Sequence, residues 1–96
     1  MNTIHMTDKD WAHYVQDYTP TTTDEVRKYA ADLVEYGLSE PQLGAELARQ
    51  SAERIHAKAK ADGNSEWALI IAPALRRLTL IEREEQFRIR SGFFRG

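Results

Sequence analysis

Apolar residues recur along this chain at three- and four-residue intervals, and breaks in that rhythm divide it into four helices. Trp11, Tyr14, Val15 and Tyr18 follow the i, i+3, i+4, i+7 pattern that gathers side chains on one helical face. Thr7 is positioned to cap this first helix, Asp8 and Asp10 complement the positive end of its dipole, and it stops before Pro20. The polar segment Thr19 to Thr23 reads as a linker. Within it Thr22, with Glu25 three residues on, forms a capping box for a second helix whose buried stripe is Val26, Tyr29, Ala30, Leu33 and Val34. Gly37 is expected to close that helix in the left-handed conformation. A third helix is predicted from Ser39, with Gln42 completing a second capping box and Pro41 tolerated in the first turn. Its inner face is small-residue rich: Leu43, Leu47, Ala48, Ser51, Ala52, Ile55 and Ala59, with Asp62 and Gly63 ending it.

The last helix, predicted over 65–90 and capped by Asn64 or Ser65, carries two apolar stripes. At about 100° per residue, Trp67, Ile70, Ile71, Ala74, Leu75, Leu78, Ile81 and Ile89 fall within one sector of roughly 140°, which is a core face. On the opposite side Leu69, Leu80 and Phe87 stack within about 20° of one another, flanked by Arg76, Arg83 and Glu84. A second stripe needs a second partner, either another helix of the chain or another molecule. Pro73 is expected to kink or split the helix near residues 69–72. Gly92 is expected to end it, leaving Phe93, Phe94 and Arg95 as a short tail. No strand pattern or internal repeat interrupts the helical rhythm. The expected fold is therefore all-α, a compact bundle of about four helices in one domain spanning 1–96, with a flexible stretch over 1–6 and the tail at 93–96.

Ninety-six residues suffice for one modest core. The chain has no cysteine, which removes disulfides, thiolate nucleophiles and Cys-based zinc sites. Its first ten residues lack the basic and apolar regions of a signal peptide, and its longest apolar run, Trp67 to Leu75, is far short of the ~20 residues that span a bilayer. A cytoplasmic protein without a membrane span is the expectation. Charge is distributed unevenly: residues 1–48 carry −6 and residues 49–96 carry +4. Such asymmetry can steer association with an acidic partner or a second copy, or simply let helices of one bundle pair.

Candidate chemistry is sparse. There is no Gly-rich phosphate loop, no nucleophile elbow, no His-Glu-x-x-His and no Asp-rich calcium loop. Asp10, His13 and Asp17 share a face of the first helix and have the residue types of an acid/base or cation site, but no second helix offers a fourth ligand. His5 lies in the terminal segment and His56 beside Ile55 reads as a boundary residue. No cofactor, metal or catalytic residue is assigned, and an enzyme is not expected. Nucleic-acid binding has two supports. The second helix, a turn over 36–39 and the third helix have helix-turn-helix lengths, although Glu40 and Glu46 would face phosphate from the recognition position. The C-terminal third has six arginines, 76, 77, 83, 88, 90 and 95, interleaved with Phe87, Phe93 and Phe94, and interrupted by Glu82, Glu84 and Glu85. The same residue types suit a protein interface. The expected partner-binding set is Leu69, Arg76, Leu80, Arg83, Phe87, Arg90, Phe93 and Phe94.

The stretch Tyr18-Thr19-Pro20-Thr21-Thr22-Thr23-Asp24-Glu25-Val26-Arg27 resembles a segment, tyrosine-threonine-proline-threonine-threonine followed by acidic-acidic-valine-arginine, that recurs in small accessory proteins of actinobacterial phages, with one extra threonine here. The resemblance implies a phage origin and a small protein that binds something in the host cell. It carries no catalytic residue. The sequence thus leads to the expectation of a non-enzymatic helical protein that acts by protein–protein interaction, with homodimerisation through the second stripe of the last helix. A small DNA-binding regulator is the alternative.

Overall fold

A computed structural model describes residues 8–95, with side chains described over 10–89. The described residues form four helices, α1 (Asp8–Asp17), α2 (Thr23–Ser39), α3 (Gly44–Ala61) and α4 (Ser65–Arg95), and no strand. The protein is an all-α bundle. Thr7, His5 and the 1–6 stretch lie outside the described residues, as do the side chains of Arg90, Phe93, Phe94 and Arg95.

Local signals account for most helix ends. At α2 the Thr22 side chain accepts from the Glu25 backbone N–H at 3.2 Å while the Glu25 carboxylate accepts from the Thr22 N–H, the reciprocal box predicted from the sequence. Thr21 donates to the same carboxylate through its backbone N–H and its hydroxyl, at 2.7 and 2.9 Å. These bonds hold the Glu25 carboxyl below its ordinary range, the Thr21 backbone N–H contributing most. At the end of α3 Gly63 adopts φ +69°, and the Gly63 and Asn64 N–H groups reach back to the carbonyls of Lys60 and Ala59 at 3.1 and 2.7 Å. This is a Schellman closure, which favours glycine at the left-handed position. Asn64 then caps α4 through its side-chain oxygen, which accepts from the Trp67 N–H at 3.1 Å.

The boundary between α2 and α3 differs from expectation. Gly37 does not close α2; it is helical, buried and two residues short of the end, and Gly63 is the one described residue with positive φ. Its missing Cβ serves packing instead. A methyl there would come within 2.6 Å of Leu78 Cδ2 and 3.4 Å of Ala45 Cα, so glycine lets α3 and α4 approach α2 closely. Nor does α3 begin at Ser39 with Gln42 in a box. Pro41 disfavours helical geometry at the preceding residue, and Glu40 sits at φ −129°, ψ 68°, outside the helical region. Hence α2 ends at Ser39, residues 40–43 form the turn, and α3 starts at Gly44 behind Leu43, which makes no side-chain cap. Leu43, predicted for the inner face, is consequently 71% exposed.

The core forms where α2, α3 and α4 face one another. Tyr29, Leu33, Ala48, Ala52, Ile55, Ile71 and Leu78 are essentially fully buried, and Trp11, Tyr14, Leu47, Ile70, Leu75 and Ile81 pack around them. The small face of α3 lies against both neighbouring helices. α4 runs unsplit through Pro73 and also through Gly92, so the predicted stop and separate tail are replaced by helix to Arg95. Pro73 and Leu69 are both exposed, so the carbonyl that proline leaves without an intrahelical donor lies on the side open to water. At 1.5 Å per residue the 31 residues of α4 span about 46 Å, close to the 48 Å long axis of the molecule. Among its described side chains Glu85 is the last buried one, and residues 86–89 are all exposed, Ile89 included although predicted for the core face.

α1 is held by polar bonds as much as by burial. Its last carbonyls have no intrahelical partner, and no glycine cap follows. The Val15 carbonyl accepts from the hydroxyls of Tyr29 on α2 and Ser51 on α3. The Arg54 guanidinium donates to the Tyr18 carbonyl at 3.1 Å and to the Tyr29 hydroxyl at 3.3 Å, placing a positive charge at the negative end of α1. Tyr14 donates to Asp32 at 2.6 Å, and burial, then that carboxylate, raises its phenol well above its ordinary value. No described side chain leaves a buried polar atom unsatisfied.

Candidate protein-interaction surface

The two stripes of α4 meet different fates. Ile71, Ala74 and Leu78 are buried by α2 and α3. Leu69, Leu80 and Phe87 are 75%, 56% and 73% exposed. α1 packs on α3 and α2 and makes no close approach to α4 among the described residues, so the intramolecular cover for the second stripe is absent there. The outer face is built by the same helical geometry that builds the core, because residues seven apart return to nearly the same angle. Pro73, Leu80 and Phe87 make one row of it, and Leu69, Arg76 and Arg83 the row beside it.

Two shallow depressions flank this face. One, of about 410 Å³, is lined by Leu80, Arg83, Glu84, Gln86 and Phe87. The other, of about 360 Å³, lies between α2 and α4 and is lined by Ala30, Ala31, Val34, Pro73, Ala74 and Arg77. Pro73 and the α2 residues are not expected in a surface from the sequence, and Arg77 is expected only as one of the six arginines of the C-terminal third, outside the partner-binding set. Pro73 shares the seven-residue row of Leu80 and Phe87, a signal the sequence does contain; the contribution of α2 depends on how the helices dock, which it does not.

The charges of the C-terminal helix also rearrange relative to expectation. Glu82 does not interrupt the arginines: it turns to α3, where Arg49 donates to it, and Arg49 also pairs with Glu53 at 2.9 Å. The bond to Glu82 is the main cause that raises the Arg49 guanidinium further above its ordinary value. Glu85 is buried and accepts from Arg88 at 2.7 Å. Both carboxylates lie on the inward side of the helical wheel, and only Glu84 stands among the outward arginines. Arg76, Arg77 and Arg83 are exposed and have no ion-pair partner among the described residues. Arg90, Phe93 and Phe94 are carried on the same helix, with side chains outside the described set.

Other candidates have less substance. Asp10, His13 and Asp17 form no metal-holding group among the described residues; His13 Nδ1 lies 3.2 Å from Asp17 Oδ2 on an exposed face. The turn of the helix-turn-helix candidate lies at 40–43 rather than 36–39, and the first turn of α3 carries Glu46. A small cavity of about 160 Å³ beside Trp11 and Tyr36 is lined by Glu35, Ser39 and Glu40. No described helix is long and apolar enough to cross a membrane. No protein-family model, curated protein or solved structure matches the chain.

Proposed function

We propose that this is a non-enzymatic binding protein that recognises another protein through the outer face of α4. The observation that carries the proposal is the exposure of Leu69, Leu80 and Phe87 in register on a helix whose opposite side is already the core. Burying a leucine or phenylalanine side chain contributes roughly 1.5–3 kcal/mol, so Leu80 and Phe87 alone could anchor a partner. Arginine and phenylalanine are also among the residue types enriched at protein interfaces. The resemblance of residues 18–27 to phage accessory proteins supports a partner from a host cell and a cytoplasmic site of action. Self-association through the same face is a variant of this reading.

Arg76, Arg77 and Arg83, exposed and without an ion-pair partner among the described residues, favour a DNA-binding regulator as the second reading. Pull-down from nuclease-treated lysate, wild type against Leu80→Glu, separates the two. Protein retained by the wild type, lost with Leu80→Glu and indifferent to nuclease is the expected result. Retention that depends on nucleic acid promotes the regulator.

A further inference from the structure

Resting on the reading of α4 as a protein-binding surface, we propose that its occupant is an acidic amphipathic helix laid along α4, with apolar side chains over Pro73, Leu80 and Phe87 and carboxylates over Arg76 and Arg83. The spacing argues for a helix. Leu69, Pro73, Arg76, Leu80, Arg83 and Phe87 advance by alternating steps of four and three residues, the rhythm of a coiled-coil seam. Each row repeats after about 10.5 Å, the distance at which a second helix presents equivalent positions seven residues apart. From Leu69 to Phe87 the seam is about 27 Å long, which five turns of a partner helix would cover. The groove that α2 forms with Pro73 and Arg77 gives the partner a second wall at one end.

Charge selects among helices. The inward turn of Glu82 and Glu85 leaves Arg76, Arg77 and Arg83 facing outward with Glu84 as the one carboxylate beside them. A partner with glutamate or aspartate seven residues apart would supply the missing counter-charges. A second copy meets this requirement poorly. Two such faces pressed together would gather six arginines, 76, 77 and 83 of each copy, against two Glu84 carboxylates. Nucleic acid fits less well too: the outward Arg76, Arg77, Arg83 and Glu84 carry a net +2 over about 12 Å, whereas a strand presents a phosphate about every 3.4 Å. Among the described side chains of the seam Phe87 is the one ring on which a base could stack, whereas a strand is held by stacking successive bases.

The test uses the full chain and three labelled probes: a 21-residue designed helix with leucines in 3,4 spacing flanked by glutamates every seven residues, the same peptide with each of those glutamates replaced by lysine, and a thymidine oligonucleotide. Fluorescence anisotropy at physiological salt should show binding of the acidic helix and not of the basic one. Arg76→Glu with Arg83→Glu should weaken the acidic helix at least about tenfold and create binding of the basic one. Leu80→Glu should weaken the acidic helix by a similar factor. All three positions are exposed, and unchanged helical circular dichroism confirms that the variants fold. Equal binding of the two peptides, no binding of the acidic helix, or no response to charge reversal overturns the proposal. A wild type that light scattering finds dimeric, with Leu80→Glu monomeric, makes the occupant a second copy and overturns it while leaving α4 a protein-binding surface. Tighter binding of the oligonucleotide than of either peptide overturns both readings.

Discussion

A carbonyl that accepts two hydroxyls fixes where α1 sits. Val15 offers its oxygen at the end of α1, where no helical donor remains, and Tyr29 and Ser51 converge on it from different helices. A phenylalanine at 29 would fill the same space but lose the donor. Tyr29→Phe and Ser51→Ala are therefore expected to cost about 1–1.5 kcal/mol each, and the double variant more than the sum, because each single variant leaves the carbonyl one donor and only the double leaves it buried without any, as read by urea denaturation. Glu25 makes a pH-dependent contribution. Its carboxyl is held below the ordinary 4.5, so the capping bonds stabilise fully above that value and are lost as pH falls through the lowered one. Glu25→Gln should be less stable than wild type at neutral pH, and the gap should close in acid; a constant gap in thermal melts from pH 7 to pH 3 would show that the carboxylate charge is irrelevant to the cap. Such residues differ in how openly the sequence displays them. Thr22 and Glu25 are three apart and need only each other. Ser51 reads as one more small residue in a row of alanines, because the carbonyl it serves is 36 residues away in the chain.

Among the elements, α2 and α4 show where periodicity suffices and where it does not. The two stripes of α4 are legible in the sequence, since both follow from the helical repeat, but α2 and α3 cover one, and whether the chain covers the other as well depends on where α1 docks. The difference should be large in stability. Leu78→Ala removes a fully buried side chain and is expected to cost about 2–5 kcal/mol, whereas Leu80→Ala should stay within about 0.5 kcal/mol of wild type in thermal or urea denaturation. Gly37 illustrates the opposite failure of sequence reasoning. A glycine near a helix end suggests a left-handed cap, yet its role is contact with Leu78 on a helix far along the chain, which no local pattern encodes. Replacing a mid-helix glycine by alanine ordinarily gains about 1 kcal/mol. Here the added methyl would meet Cδ2 of the fully buried Leu78 at 2.6 Å, so that side chain must shift inside the core, and overpacking costs about 1–3 kcal/mol. Gly37→Ala should accordingly lower the melting temperature despite its higher helix propensity. The boundary at 40–43 is readable in principle, because Pro41 restrains Glu40, but the two competing capping patterns around Ser39 mask it.

At the scale of the molecule, α4 is both the spine against which α2 and α3 pack and the carrier of the exposed strip. The candidate surface is visible in the sequence as residue types, and the helical repeat already turns Glu82 and Glu85 inward, but the partner that takes up Glu82 is not legible there, since Arg49 lies 33 residues away on α3. A consequence follows for how a partner would register. Because the inner side of α4 exists only in the folded bundle, the outer strip is assembled in its full register only there, and any ligand for it selects the native state over the unfolded chain. By mass action such a ligand at a hundred times its dissociation constant adds about 2.7 kcal/mol to stability, which for a chain of this size raises the midpoint of thermal unfolding by roughly ten degrees or more. Heat resistance in a mixture would then be a property lent by the partner, and melting curves recorded against successive fractions of an extract would point to the fraction that holds it.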